Sequence, residues 1–160
     1  MAPVTPYTRN LGDREPIAAM RDSASRLRSL IAGWPPEQFE KSYAPGKWTA
    51  RQILTHLAQS ELALGTRARL VLATPNYVSQ AFDPDQWMAR ESTLTARDAV
   101  DALLAISRMN VAFFEQLSRK DRDTPFSHPE YGTITVDWII HQMAGHQIHH
   151  LEQLEAMATA

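Results

Sequence analysis

The chain contains no cysteine. That absence excludes a disulfide framework, a thiolate nucleophile, a cysteine-ligated zinc site and an iron–sulfur cluster, so any metal must be held by His, Asp or Glu. Glycine is scarce, at 6 of 160 residues, and no repeat or low-complexity tract is present. No block of Lys or Arg occurs, and sixteen basic against eighteen acidic side chains leave a formal charge of -2. A nucleic-acid partner is therefore not expected, because phosphate binding leaves a basic footprint. No apolar run approaches the roughly eighteen residues needed to span a bilayer, and Met1 to Glu15 lacks the positive-then-apolar layout of a signal peptide. The lack of a spanning run and of a leader pattern leads to the expectation of a cytoplasmic protein with no membrane partner, and the length of 160 residues to that of a single domain over residues 1–160.

What is present is helical pattern. Most of the ten prolines fall where helices should stop, and they leave four long proline-free segments with helical periodicity. The first runs from about Ile17 to Ala32, opened by Pro16 in the first turn and closed by Gly33. The second runs from about Thr49 to Ala73, where Thr49 and Gln52 have capping-box spacing. The third spans about Ala96 to Leu117, with Thr95 as cap and Asp98 at the positive end of the helix dipole. The fourth spans about Val136 to Met157, capped by Thr135. Strand signals are poor: Gly132–Val136 alternates briefly but leads straight into the fourth helix. Four amphipathic helices predict an all-α four-helix bundle. The connection between the second and third is the longest and has room for a short helix near Pro84–Arg90, which suits a crossover between parallel neighbours.

Four of the six histidines fall within ten residues: His141, His146, His149 and His150. On a wheel of about 100° per residue with Val136 at zero, the apolar stripe of the fourth helix lies near zero. His146 falls near 280° and His150 near 320°, on or beside that stripe. His141 and His149 point away from it. Residues four apart stack on one face, so His146 and His150 form a metal half-site. By itself this spacing is common in histidine-rich helices. His56 is the natural third ligand, but it sits about 100° off the stripe of the second helix, at the margin of the bundle. On its wheel position alone, a boundary histidine bonded to solvent or a backbone carbonyl is the better reading. His128, between Ser127 and Pro129, reads as a loop residue.

The segment Pro45-Gly46-Lys47-Trp48-Thr49, followed by a helix bearing His56-Leu57-Ala58 and Glu61, resembles the entry signature of the DinB/YfiT-like superfamily. The closing run Gly145-His146-Gln147-Ile148-His149-His150-Leu151-Glu152-Gln153 is similar to the terminal motif of that family. The resemblance implies an up-down-down-up bundle and a divalent metal held by His56, His146 and His150. Nickel, zinc and manganese all suit imidazole. Three imidazoles leave positions open for water or substrate, which is the mark of a reactive site. The family includes bacillithiol- or mycothiol-dependent S-transferases, a maleylpyruvate isomerase and proteins known only as metal-dependent hydrolases. Two expectations follow. One is an enzyme that activates a water or a low-molecular-weight thiol cosubstrate toward a small-molecule substrate. The other is a non-catalytic stress or interaction protein whose metal ties two helices together. A homodimer is expected at the level of the family.

Other residues have plainer readings. Glu61 is a candidate catalytic base or an acceptor orienting a ligand histidine, with a charge partner for an arginine as the alternative. Trp48 reads as a plug at the helix entry, and Gln153 as a structural hydrogen-bonding group. Ser60 and Asn110 are marginal cavity candidates. Trp138, Phe113 and Phe114 read as core or dimer surface, and Arg26, Arg28, Arg67 and Arg69 as solvated face charges.

Overall fold

The computed structural model describes residues 2–158. Its long helices are α2 (Pro16–Ile31), α3 (Ala50–Ala73), α5 (Ala96–Glu115) and α7 (Val136–Ala158). Shorter pieces are α1 (Thr8–Leu11), a 3-10 turn at Pro36–Glu40, α4 (Pro84–Arg90) and α6 (Arg119–Arg122). Each long helix begins where its cap chemistry dictates. Glu15 accepts from the Ala18 amide at 2.7 Å ahead of Pro16. Thr49 and Gln52 complete a reciprocal capping box, at 3.2 and 2.9 Å. Thr95 Oγ1 caps the Asp98 amide at 3.1 Å, and Thr135 Oγ1 caps that of Trp138 at 3.2 Å. These bonds satisfy amides that would otherwise lack partners.

Cross-helix contacts fix the directions. Arg51 at the start of α3 reaches the Leu94 carbonyl just before α5, and Arg69 near the end of α3 bonds Asn110 at 2.8 Å. These two helices therefore run parallel, and the long 74–95 connection carries the chain back along the bundle. His56 meets His150, whereas Glu61, one turn further on, meets Gln147, so α3 and α7 are antiparallel. Arg21 pairs with Glu115 while Leu27 packs near Leu103, which makes α2 antiparallel to α5. The order is up-down-down-up.

One departure from the all-helical expectation is a hairpin. Strand β1 (Pro125–His128) pairs antiparallel with β2 (Gly132–Thr135), Phe126 opposite Ile134. Gly132, at φ 67°, makes the turn. The Ser79 amide donates to the Ser127 carbonyl at 3.0 Å, which ties the crossover to this hairpin.

The apolar core is in two sections. One gathers Met20, Val71, Phe114, Ile139, Ile140 and Met143, and the other Leu27, Ile53, Leu54, Leu103 and Leu154. Between them lies a buried polar layer from three helices: His56, Ser60 and Glu61 of α3, Ser107 and Asn110 of α5, and His146, Gln147 and His150 of α7. A polar layer at mid-bundle costs stability unless its groups are paired, so its presence points to function.

The N-terminal segment is pinned across α7. Trp138 Nε1 donates to the Val4 carbonyl at 2.9 Å, and Tyr7 lies against Gly145. A Cβ on Gly145 would fall 2.5 Å from the Tyr7 carbonyl oxygen, so only glycine permits this approach. Helix propensity favours Gly145→Ala by up to about 1 kcal/mol, but displacing backbone costs about 1–3 kcal/mol. Net destabilisation by about 1–2 kcal/mol is expected in urea melts. A more stable variant would show that Tyr7 is not seated there.

Candidate metal centre

The three histidines of the sequence motif meet. His56, His146 and His150 are all buried, and one ligating nitrogen from each lies within 4.8 Å of the others. His56 Nε2 and His146 Nε2 are 2.9 Å apart, and the three rings stand edge to face with centroids 4.5–5.0 Å apart. Among the described residues this is the one group of three or more His, Asp or Glu with metal-ligand geometry. His56 reaches the centre despite its marginal wheel position because α3 is covered on every side here. All nine residues from Ile53 to Glu61 are buried.

Burial also sets the protonation state. Desolvation pushes His56 down to about 3, helped by the charge of His150, and pushes His146 well below the ordinary histidine value. It lowers His150 to about 4, even though its hydrogen bond to Gln153 acts in the opposite sense. At neutral pH all three imidazoles are neutral and present lone pairs, the form a cation requires. Gln153 Oε1 lies 2.7 Å from His150 Nδ1 and accepts its proton, which directs the free Nε2 lone pair inward. Gln153 is thus the structural hydrogen-bonding group its position suggested. The buried His56 Nδ1 has no partner among the described residues. Neutral, converging, buried nitrogen donors with no acidic group among them fit a divalent transition metal.

Beside the triad lies a cavity of about 390 Å³ bounded by Tyr7, Trp48, Ser60, Phe82 and Trp138 as well as the histidines. Trp48 is more than a plug. Its ring is 4.9 Å from that of His56, and it forms part of the cavity wall. Ser60 reaches the cavity, whereas Asn110 does not line it.

Glu61 is buried deeper, among α3, α5 and α7, and does not line this cavity. Asn110 Nδ2 donates to it at 2.8 Å, and Gln147 Nε2 donates to its other oxygen. Burial raises its carboxyl to about 7 against the opposing effect of those two hydrogen bonds. It contacts α7 through Gln147, the neighbour of His146 in the chain.

Several cavity residues escape a reading of sequence alone. Arg67 is 7% exposed, not a solvated face charge, and His128 is a buried residue of β1, not a loop residue. Arg69 is also drawn inward, 4.3 Å from the centre of the Phe113 ring and bonded to Asn110. A signal for Arg67 did exist: eleven residues after His56 is about 20° from it on the helical wheel, so both share a face. Trp138, Gln142, His146 and His150 likewise form one row at four-residue spacing. His141 and His149 stay outside the triad, as their wheel angles require. His141 Nδ1 lies 2.9 Å from the Asp137 carbonyl, and the His149 ring lies 5.3 Å from that of Tyr7.

Three buried histidines that meet beside a cavity in a helical bundle make a candidate metal centre. The DinB superfamily model matches residues 19–154, and the chain belongs to that superfamily. It is 28% identical over 149 residues to "Putative metal-dependent hydrolase OB0782" of Oceanobacillus iheyensis, covering 92% of this chain and 87% of that protein. The fold is similar to that of YfiT from Bacillus subtilis, described as a probable metal-dependent hydrolase with an unusual four-helix bundle topology. That match has a TM-score of 0.81 at 19% identity and covers 99% of this chain and 90% of the other. A mycothiol-dependent maleylpyruvate isomerase is also similar in fold, with a TM-score of 0.73 at 14% identity, over 94% of this chain and 63% of the other. Among the described residues no helix is long and apolar enough to cross a membrane.

Proposed function

We propose that this chain is a metal-dependent enzyme in which His56, His146 and His150 hold a divalent cation at one end of a substrate cavity. The observation that carries this reading is the meeting of three buried neutral imidazoles beside a cavity of about 390 Å³. When bound, a nickel, zinc or manganese ion supplies Lewis-acid polarisation that brings a water or thiol proton toward release at neutral pH. The chain itself does the rest. Gln153 holds His150 in one tautomer, and Trp48 and Phe82 wall off solvent on the His56 side. Glu61 positions α7 through Gln147. The absence of cysteine means that any thiol enters as a cosubstrate. The likeness to relatives named as hydrolases supports the water reading, and that to a mycothiol-dependent fold supports the thiol reading.

The test is metal content of untagged protein, thermal melts before and after chelation, and a screen with ester, amide and thiol-transfer substrates. Near-stoichiometric metal, removable with little change in melting temperature, and turnover that returns on reloading are expected. A metal whose removal unfolds the chain, with no turnover, would instead support the structural role.

A further inference from the structure

The cavity has a second polar end that the histidine triad does not use. Arg67 lies about 16 Å along α3 from His56, at 1.5 Å rise per residue. Its guanidinium donates to the Gln80 carbonyl at 2.7 Å, and Tyr77 also bonds it. No carboxylate among the described residues is within ion-pair distance of it, although it is only 7% exposed. Glu130 acts on it only at longer range, from an exposed position on the rim. A buried cation without a counter-ion is costly unless something supplies the anion.

His128 sharpens the point. Its Nδ1 accepts from the backbone amides of Glu130 and Tyr131, at 3.1 and 3.4 Å. Both partners are pure donors, so that nitrogen carries no proton, and in the neutral ring the proton sits on Nε2. Yet Nε2 faces Arg67 Nη1 at 3.3 Å, and a guanidinium has no acceptor to offer. The two groups are therefore not bonded to each other. They are adjacent donors, one of them charged and without a carboxylate partner, neither can accept from the other, and both line the cavity. Besides Glu130 on the rim, the remaining lining is largely apolar or aromatic, with Leu64, Phe82 and Trp138, and carries the polar Ser60 and Gln142.

We propose that Arg67 and His128 form a carboxylate receptor, and that the substrate is an organic acid with an apolar body. This deepens the enzymatic reading above and rests on it for the reaction, though not for the binding of the acid. The guanidinium and the imidazole N–H each donate to a carboxylate oxygen, in the paired geometry that arginine favours. The apolar body lies along the aromatic wall, and the reacting end, remote from the charge, points to the histidines.

The test is calorimetric titration with hexanoate and 4-phenylbutyrate beside their neutral amides, on holo and chelated protein. The acids are expected to bind at least tenfold more tightly than the amides in both states. Arg67→Gln and His128→Leu should each erase that preference, while His128→Gln, which keeps a donor, should restore part of it. Should Arg67→Gln fail to fold, Arg67→Lys serves, with an intermediate loss. Equal acid affinity in Arg67→Gln or Arg67→Lys and in His128→Leu overturns the proposal. So does an acid preference that vanishes on chelation, since the metal would then be the receptor. Metal content of the same samples separates the two claims: metal-free protein with Arg67-dependent acid binding supports the receptor and removes the triad reading.

Discussion

His146→Ala is expected to lose metal while remaining folded. This ring is the centre of the triad: it stands edge-on to both His56 and His150, and its Nε2 is 2.9 Å from that of His56. Its removal leaves two donors on different helices, and a site of two imidazoles does not hold a borderline cation against buffer. Even residues that merely orient a ligand are worth about 10–100-fold in affinity, so loss of a ligand should exceed about 100-fold. Gln153→Ala, which frees only the tautomer of His150, should cost about tenfold. Chelated protein and chelated His146→Ala should melt within a few degrees of one another, because without metal the triad is three desolvated rings that stabilise little. Competition titration with a chromogenic chelator measures the affinities. Unchanged metal content in His146→Ala would dismiss the three-histidine centre.

Metal-free protein should also lose stability steeply as pH falls from 6.5 toward 4. The sign follows from proton binding: the unfolded histidines protonate near 6.5, whereas the folded His56 and His150 stay neutral to about 3 and about 4, and His146 is depressed as well. The unfolded chain thus takes up more protons across this window, and each histidine contributes a slope of about 1.4 kcal/mol per pH unit. Glu61 works in the opposite direction. Its folded value of about 7 lies above its ordinary 4.5, so its contribution is complete below 4.5 and is lost as pH rises through 7. One carboxyl offsets about a third of the slope from three histidines between 4.5 and 6.5. Glu61→Gln should therefore make the acid limb steeper and flatten the decline toward pH 7. Denaturant titrations of chelated wild type and Glu61→Gln from pH 4 to 8 check both limbs. A profile flat between 6.5 and 4 would mean that the rings are hydrated in solution. While the chain stays folded, metal should be released only as pH approaches about 4, where the first of the ligand imidazoles protonates, since ligation requires unprotonated imidazole.

The helices were legible because their boundaries rest on local chemistry. Thr49, Thr95 and Thr135 cap helices at the positions their side chains permit, and Pro16 opens one from the first turn. The hairpin was not. Each strand is four residues long, and the second runs directly into the Thr135 cap, so its alternation is hidden by the helix that follows. His146 and His150 could be placed from one helix alone. Placing His56 required the family motif, because a wheel assumes burial on one side and α3 is covered on every side from Ile53 to Glu61. Arg67 was misread for the same reason. Nothing in its neighbours along the chain announces that Tyr77, Gln80 and the hairpin fold over it. Local pattern reports what a helix presents; it does not report what later segments bring to cover it.

The parallel course of α3 and α5 has one more consequence. Two parallel neighbours oblige the chain to travel the length of the bundle between them, and that return segment, residues 74–95, supplies Phe82 and Pro84 to the cavity wall. The three histidines sit within long helices, where change is costly. The roof over them belongs to a connecting segment, whose length and sequence are cheap to vary. Part of the cavity wall is thus carried on a stretch of the gene apart from the three histidines, and exchange of residues 74–95 offers a way to reshape the cavity while the histidines stay unchanged.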